Sequence, residues 1–187
     1  YMDKRFSALE TNYLLTKNFS TGEAQLIFKE IKDIEILQVA AWPNTLEQVG
    51  KKLSNHMNFS KIPMPNKVIS SEVSAMMRIE PLKWWILNSD IPILSTEEAT
   101  TLDLSDSFTC LEIQGEKSVI FLNKFLPLDL RENSFSLDCF ASSIIHHVSI
   151  KLRRTKNSYQ LFIPRGFALS LWEIFLESAS QFNYEVR

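Results

Sequence analysis

The last part of the chain has the clearest pattern of hydrophobic and polar positions. A strand-like apolar run at 159–163 is followed by Pro164, Arg165 and Gly166, which predict a turn. The next residues predict an amphipathic helix, one stripe of which contains Phe167, Leu171, Ile174, Phe175 and Ser178. A second apolar stripe beside it contains Leu169, Trp172, Leu176 and Ala179. One stripe is enough to pack a helix on its own sheet, so the second stripe predicts a surface for a partner chain.

Strands, helices and turns recur in the same order in the two halves of the chain. In the first half the pattern predicts a strand, a helix start, a loop, a long strand and its hairpin partner at 34–42, 43–45, 58–67, 68–79 and 83–87. In the second half it predicts strands at 101–104, 108–114, 140–153 and 159–163 and a helix after Gly115. A loop is expected at 127–135 and a turn at 155–158. This repetition predicts an α+β fold of duplicated strand–helix–strand–strand units.

The helices and the first residues of the chain complete this outline. The helix faces that we expect to be buried contain Leu46, Val49 and Leu53 in the first half, and Val119, Leu122, Phe125 and Leu126 in the second. Residues 1–30 are polar and weakly periodic, which predicts an N-terminal arm, with simple disorder as the alternative. We expect a single domain over 31–187 made of two pseudo-repeats, about 31–95 and 96–187.

Composition excludes several classes of function. The chain has 187 residues, and its net charge of −2 gives no electrostatic reason to expect binding to nucleic acid or to an anionic membrane. No apolar run approaches the roughly 18 residues needed to span a bilayer, and the first residues lack the apolar centre of a signal peptide. Two cysteines, Cys110 and Cys139, cannot form a disulfide framework. These features predict a cytoplasmic protein.

The glycine count is low and bears on cofactor binding. The sequence has 4 glycines, and each stands alone. Loops that bind phosphates need clustered glycines, because the backbone amides must approach the anion closely. Neither G-x-G-x-x-G nor G-x-x-x-x-G-K-[ST] occurs. We therefore expect no flavin, nicotinamide or nucleotide site of these kinds.

Two family resemblances rest on ordered motifs. The segment LDLSDSFTCLEIQGEKSVIFLNKFLPLDL resembles the core of folate-binding proteins of the glycine-cleavage T-protein superfamily through Asp103, Ser105, Gly115, Phe121, Leu122 and Asp129. A narrower resemblance is to the gamma subunit of heterotetrameric sarcosine oxidase. Its motifs are RIEPLKWWIL, LPLDLR, HHVSIKLRR and FIPRGFALSLWEIF, and together they span about residues 78–186. The resemblance implies a fold like the N-terminal domain of T-protein.

The second resemblance also implies a role. The chain would be a non-catalytic gamma subunit of an enzyme that demethylates sarcosine to glycine, passes the methyl carbon to tetrahydrofolate and reduces oxygen to hydrogen peroxide. FAD, FMN and NAD would lie on the alpha and beta subunits, and zinc on the delta subunit. The gamma chain would bind none of these cofactors, and its partners would be the alpha, beta and delta subunits, chiefly alpha.

One departure from the T-protein pattern concerns the folate chemistry. Where folate-using relatives carry a paired Asp-Asp, this chain has His146 and His147. Imidazole cannot supply the negative charge that the carboxylate places near the folate nitrogen, so the resemblance implies a kept fold and a lost folate chemistry. On the predicted strand the two imidazoles point to opposite faces and cannot chelate one metal, so we expect one structural and one interfacial histidine.

The other candidate side chains have simple structural interpretations. We expect Cys110 and Cys139 to be buried and inert, Asp103 and Asp129 to belong to turns and loop caps rather than to acid–base pairs with Asp106 and Glu132, and Lys151, Arg153 and Arg154 to form a solvated hairpin end. Of two adjacent tryptophans on a strand, one enters the core and the other faces outward. The candidate subunit interface therefore contains Trp84, Trp85, Leu169, Trp172 and Leu176. We expect no catalytic, cofactor-binding or metal-binding residue.

Two other functions stay open from the sequence. The assembled enzyme could act on another N-methyl amino acid, such as N-methylglutamate, because the subunits of such dehydrogenases are similar. A free-standing folate-binding protein of the same fold is the other alternative. It is disfavoured by the missing Asp pair and by the absence of the K-G-C-Y-x-G-Q signature of the iron–sulphur maintenance branch.

Overall fold

The computed structural model describes residues 6–10 and 22–187, which form two compact units. The terminal unit contains the described residues up to Asp33, together with 106–137 and 142–187, and the inserted unit contains 34–105 and 138–141. The elements in chain order are β1 Leu26–Ile31, β2 Ile36–Ala41, α1 Leu46–His56, β3 Val68–Ser70, β4 Ala75–Glu80, β5 Lys83–Leu87, β6 Ala99–Asp103, β7 Phe108–Gln114, α2 Ser118–Leu122, β8 Phe140–Ile145, β9 Val148–Arg154, β10 Ser158–Pro164, a 3₁₀ turn Arg165–Phe167, α3 Ala168–Ala179 and β11 Tyr184–Val186.

The terminal unit is built on a sheet with the strand order β11-β1-β7-β10-β9-β8. Strand β1 pairs parallel with β11 and antiparallel with β7, and β10 pairs antiparallel with β7 and β9. Helices α2 and α3 contribute aromatic side chains to its core: the ring of Phe28 on β1 meets Phe121 at 5.3 Å and Trp172 at 5.6 Å, both edge to face. Edge-to-face pairs add to the stabilisation from burial, so this cluster anchors both helices.

The inserted unit is built on an antiparallel sheet with the strand order β3-β4-β5-β2-β6. Helix α1 buries Val49 and Leu53. The core into which they pack also contains Val39, Ala41, Met57, Met76, Trp84, Ile86 and Ala99. The predicted buried face of this helix is confirmed at Val49 and Leu53, and Leu46 packs at the margin of the same core.

Two long strands expected from the sequence are hairpins. The run 68–79 is broken between β3 and β4, where the hydroxyl oxygen of Ser71 accepts hydrogen bonds from the backbone N–H groups of Val73 and Ser74. The run 140–153 is broken at His146 and His147, between β8 and β9. Serine turns and a residue with positive φ reverse the chain without the glycine or proline that marks most turns, so the apolar runs looked continuous.

The remaining sequence predictions concern the fold class, the other strands, the second helix and the N-terminal arm. The predicted α+β class is confirmed, as are strands at β2, β5, β7 and β10. Of the face expected for the helix after Gly115, Leu122 and Leu126 are buried, whereas Val119 and Phe125 are only partly buried. The helix itself ends at Leu122, before the last two of these positions. Most of the predicted N-terminal arm lies outside the described residues, but its last part forms β1, because Leu26 and Phe28 alternate into the core. The division into two pseudo-repeats stays a prediction. No helix in the described part of the chain combines the length and apolarity needed to cross a bilayer.

Candidate functional site

Helix α3, which the sequence singled out as a partner surface, buries a different stripe from the one expected. Its buried residues are Ala168, Leu171, Trp172, Phe175 and Ala179, which combine members of both predicted stripes. The Trp172 side chain is 1% exposed and belongs to the core of the terminal unit. Phe167, which we expected to face the sheet, is 46% exposed. The placement of Trp172 on an outer face is therefore wrong, because the sheet lies under the boundary between the two stripes.

Two leucines of the predicted interface do lie toward the outside of this helix. Leu169 is 41% exposed and Leu176 is partly buried. They are seven residues apart, which places them two turns apart on the same side of the helix. We call this surface the Leu169–Leu176 face. A single exposed leucine is ordinary on a protein surface, so the role of this face as a subunit interface stays a prediction.

The adjacent tryptophans of β5 are both buried. Trp84 is 0% exposed and lies in the core of the inserted unit. Trp85 is 2% exposed, and its indole N–H donates a hydrogen bond to Gln38 Oε1 at 3.3 Å, from the residue opposite it on β2. The expectation that one of the pair faces outward is wrong, because alternation along a strand gives opposite directions but does not leave either face exposed. Neither ring is a surface anchor in this chain.

The two histidines lie in the β8–β9 turn rather than on a strand. Both are exposed, and the backbone of His146 has a φ of 53°, in the left-handed region. The strand assignment, and with it the opposite-face geometry, is therefore wrong. The apolar neighbours Ile145 and Val148 are buried at the ends of the two strands. Both imidazoles are therefore exposed to solvent in this chain.

A pair of substitutions at His146 tests this placement. Asparagine tolerates the left-handed region, so His146→Asn should change the free energy of unfolding by no more than about 0.5 kcal/mol. Valine does not tolerate it, so His146→Val should destabilise by about 1–2 kcal/mol. Urea denaturation of both variants gives the two values. If the chain is part of an enzyme complex, His146→Asn or His147→Asn should leave turnover of that complex within a few-fold, whereas loss of a general base costs about 10²–10⁴-fold.

The carboxylates that the sequence assigned to turns and caps are held in that way. Asp103 accepts a hydrogen bond from the backbone N–H of Ser105 at 2.8 Å. Asp129 accepts hydrogen bonds from the backbone and guanidinium of Arg131 and from the hydroxyl of Ser134, and the side-chain bond from Arg131 is the main reason that its pKa lies well below the usual range. A carboxyl with a lowered pKa stays ionised at neutral pH and is a poor general base. Asp129 therefore organises its loop.

The expected basic hairpin end is less solvated than the sequence suggested. Arg153 is buried, and the Arg154 guanidinium donates a hydrogen bond at 2.6 Å to the backbone oxygen of Phe135. It also lies 3.6 Å from Glu132 and 5.8 Å from the ring centre of Tyr159. Arginine stems pack well against apolar surface while the head stays hydrogen-bonded. The Arg154 contacts therefore link β9 to the preceding loop within the terminal unit.

The cysteines are both buried, as expected, but one has an unexpected neighbour. Cys110 lies on β7 in the terminal unit, and Cys139 lies in the inserted unit. The sulfur of Cys139 is 3.0 Å from the ammonium nitrogen of Lys67. Sequence reasoning missed this contact, since the two residues are far apart along the chain and no local motif joins them.

Pockets in each unit have volumes that bear on ligand binding. One of about 200 Å³ in the terminal unit is lined by Glu30, Lys32, Thr109 and Arg165 among others. One of about 180 Å³ in the inserted unit is lined by Glu47, Arg78, Trp84 and apolar residues. Ligand sites usually occupy about 300–1,000 Å³, and both of these pockets are smaller. A third pocket in the terminal unit, lined by Glu23, Ala24, Gln25, Gly115 and Glu116, has a volume of about 410 Å³, which lies within that range. Within residues 6–10 and 22–187, no three His, Cys, Asp or Glu side chains are grouped closely enough to hold a metal ion.

Comparison with known proteins gave matches at the level of structure. No protein-family profile matches the sequence, and no curated protein matches it. The structure of heterotetrameric sarcosine oxidase from Corynebacterium sp. U-96 in complex with pyrrole 2-carboxylate contains a similar chain, with a TM-score of 0.82 and 17% identity over 96% of both chains. The glycine cleavage system aminomethyltransferase T from Bartonella henselae is also similar, with a TM-score of 0.59 and 12% identity over 96% of this chain and 50% of that chain.

The chain has the fold of these two proteins. The fold expected from the motifs is therefore confirmed, and the chain corresponds in extent to a whole sarcosine oxidase chain but to about half of the aminomethyltransferase. At such low identity the likeness describes the backbone arrangement only. The roles of individual side chains must be argued from their own contacts and exposure in this chain.

Proposed function

We propose that this chain is the gamma-type, non-catalytic subunit of a heterotetrameric sarcosine oxidase. The main support is the similarity to a sarcosine oxidase chain at a TM-score of 0.82 over 96% of both chains. Because the match covers nearly all of both chains, the two chains are similar in length as well as in fold. The motifs from residue 78 to residue 186 support the same assignment.

The side chains support a role without chemistry on this chain. The histidines that replace the Asp pair of folate-using relatives lie in a solvated turn. Asp129 is ionised and engaged by Arg131 and Ser134. A catalyst needs a nucleophile or a base whose protonation suits its task, placed beside a bound substrate. We infer that the chain contributes structure to the complex.

The proposal assigns the cofactors to the partner chains. FAD, FMN, NAD, tetrahydrofolate and zinc would be held by the alpha, beta and delta subunits, and this chain would contact chiefly alpha. The complex would be cytoplasmic. It would oxidise sarcosine to glycine and reduce oxygen to hydrogen peroxide, with the methyl carbon passing to tetrahydrofolate.

Purification of the tagged chain from the cells that produce it tests this proposal. We expect mass spectrometry to identify larger flavin-binding chains in the eluate, and the eluate to oxidise sarcosine with release of hydrogen peroxide. Oxidation of N-methylglutamate in place of sarcosine would reassign the substrate of the complex. The chain produced alone should be colourless and should show no saturable folate binding by calorimetry. A yellow chain, or micromolar folate affinity, would overturn the non-catalytic assignment.

A matched pair of variants tests the Leu169–Leu176 face as the contact with the alpha subunit. Leu169→Glu places a charge on that face and should weaken co-purification by about tenfold or more, the effect of losing a small hot spot. Ile93→Glu makes the same change at a side chain that is 98% exposed in the inserted unit, and should have little effect. Equal recovery of partner chains with both variants would place the interface elsewhere on the chain.

A further inference from the structure

Lys67 and Cys139 are held side by side by the backbone. The two residues form an isolated antiparallel bridge. On either side of it, the Val68 N–H donates to the Asp138 oxygen at 2.9 Å and the Phe140 N–H donates to the Asn66 oxygen at 3.0 Å. Residues directly opposite in an antiparallel pair have their Cβ atoms about 4.5–5.5 Å apart on the same side. The 3.0 Å separation of Lys67 Nζ and Cys139 Sγ therefore rests on two fixed backbone positions.

This pair joins two groups that can react with an oxidant. A nearby ammonium favours the thiolate form of cysteine, and the thiolate is the form that peroxides oxidise. Cys139 is 8% exposed, whereas Cys110 is 1% exposed. A small peroxide can therefore reach Cys139 more readily than Cys110. The sulfenic acid formed on Cys139 would place its oxygen next to the lysine nitrogen.

We propose that Lys67 and Cys139 form a covalent sulfur–oxygen–nitrogen bridge when the chain meets hydrogen peroxide. In the first step the Cys139 sulfur attacks one peroxide oxygen, the O–O bond breaks, and the products are the sulfenic acid and water. In the second step the Lys67 nitrogen bonds to the sulfenic oxygen while a second peroxide takes two electrons and is reduced to two waters. The sum is one thiol, one amine and two peroxides giving one bridge and three waters. Four electrons leave the pair, and one peroxide oxygen stays in the bridge.

The bridge would link two distant segments of the inserted unit covalently. Residues 138–141 are the part of the chain beyond residue 105 that belongs to this unit. In the reduced chain this short segment is attached to the start of β3 by hydrogen bonds and the Lys67–Cys139 contact. A covalent link across this long loop restricts the unfolded chain and so stabilises the folded one. The site would thus be a cross-link that forms only on exposure to peroxide. It requires only peroxide, so it does not depend on the proposed function, although that function would supply peroxide.

Peptide mapping of the purified full chain tests the bridge. After treatment with hydrogen peroxide and digestion with trypsin, we expect a cross-linked species in which residues 62–78 are joined to residues 132–151. Its mass should equal the sum of the two peptides plus one oxygen and minus two hydrogens. Trypsin cannot cut after a bridged Lys67, so the missed cleavage at that residue is a second signature. A thiol reductant should return both peptides and restore the cleavage.

Three variants separate the bridge from general oxidation. Lys67→Arg keeps the positive charge without the primary amine and should abolish the cross-link, as should Cys139→Ser, while Cys110→Ala should still form it. The peroxide-treated wild type should melt at a higher temperature than the reduced chain, and Lys67→Arg should show no such rise. Circular dichroism checks that each variant is folded. Sulfenic or sulfinic acid at Cys139 without the cross-linked peptide, or a cross-link that persists in folded Lys67→Arg, would overturn the proposal.

Discussion

Replacing Trp172 by alanine is expected to lower the free energy of unfolding by about 3–5 kcal/mol, the usual cost of truncating a buried tryptophan. The indole is 1% exposed and packs edge to face on Phe28 at 5.6 Å. Alanine would leave a large cavity between α3 and β1. Urea denaturation of the isolated chain measures the loss.

Leu169→Ala is the matched control on the same helix. Its side chain is 41% exposed, so the change should cost well under 1 kcal/mol of the free energy of unfolding. If the Leu169–Leu176 face meets the alpha subunit, Leu169→Ala should instead reduce co-purification. A small stability loss in Trp172→Ala together with failed assembly would return Trp172 to the interface and contradict its core position.

Gly115→Ala is expected to destabilise the chain by about 2 kcal/mol or more. The backbone of Gly115 has a φ of 108°, which residues with a Cβ rarely adopt. An added Cβ would also lie 2.2 Å from the backbone oxygen of Gln25, so β1 or the β7–α2 connection would have to move. Thermal unfolding followed by circular dichroism measures the effect.

Gly166→Ala is the control for this prediction. A Cβ at Gly166 would meet no heavy atom within 4 Å, and this glycine lies in the 3₁₀ turn before α3. The change should alter the free energy of unfolding by less than about 1 kcal/mol, and alanine's lower backbone entropy in the unfolded chain favours a small gain. Similar losses in Gly115→Ala and Gly166→Ala would mean that the close approach to Gln25 does not control stability.

The proposed function assigns different roles to the backbone fold and to the side chains of this chain. The backbone is similar to that of a glycine cleavage system aminomethyltransferase, and His146 and His147, which the sequence resemblance aligns with the Asp pair of folate-using proteins, lie in an exposed turn. The proposed subunit would keep the fold because its surfaces, rather than its side-chain chemistry, are used in the complex. The assembly experiment and the folate titration test these two parts of the proposal separately.

The sequence determined most of the elements because their signals are local. Strand β7 has the predicted bounds, and α1 buries Val49 and Leu53 as its periodicity requires. The ordered motifs were sufficient to identify the fold. The Asx turn at Asp103 was also predictable, since its donor is two residues away.

The tertiary structure decided the rest, because each remaining question depended on what lies opposite a residue. Both stripes of α3 are apolar, and only the position of the sheet selects Trp172 for the core. Side-chain alternation along β5 directs Trp84 and Trp85 to opposite faces of the sheet, but it does not determine whether each face is covered. The pairing of Lys67 with Cys139 joins residues separated by 72 positions, and no periodicity within a segment encodes such a contact. The sequence by itself determined most of the local elements and the fold, whereas only the folded chain showed which faces of α3 and β5 are covered and that Lys67 meets Cys139.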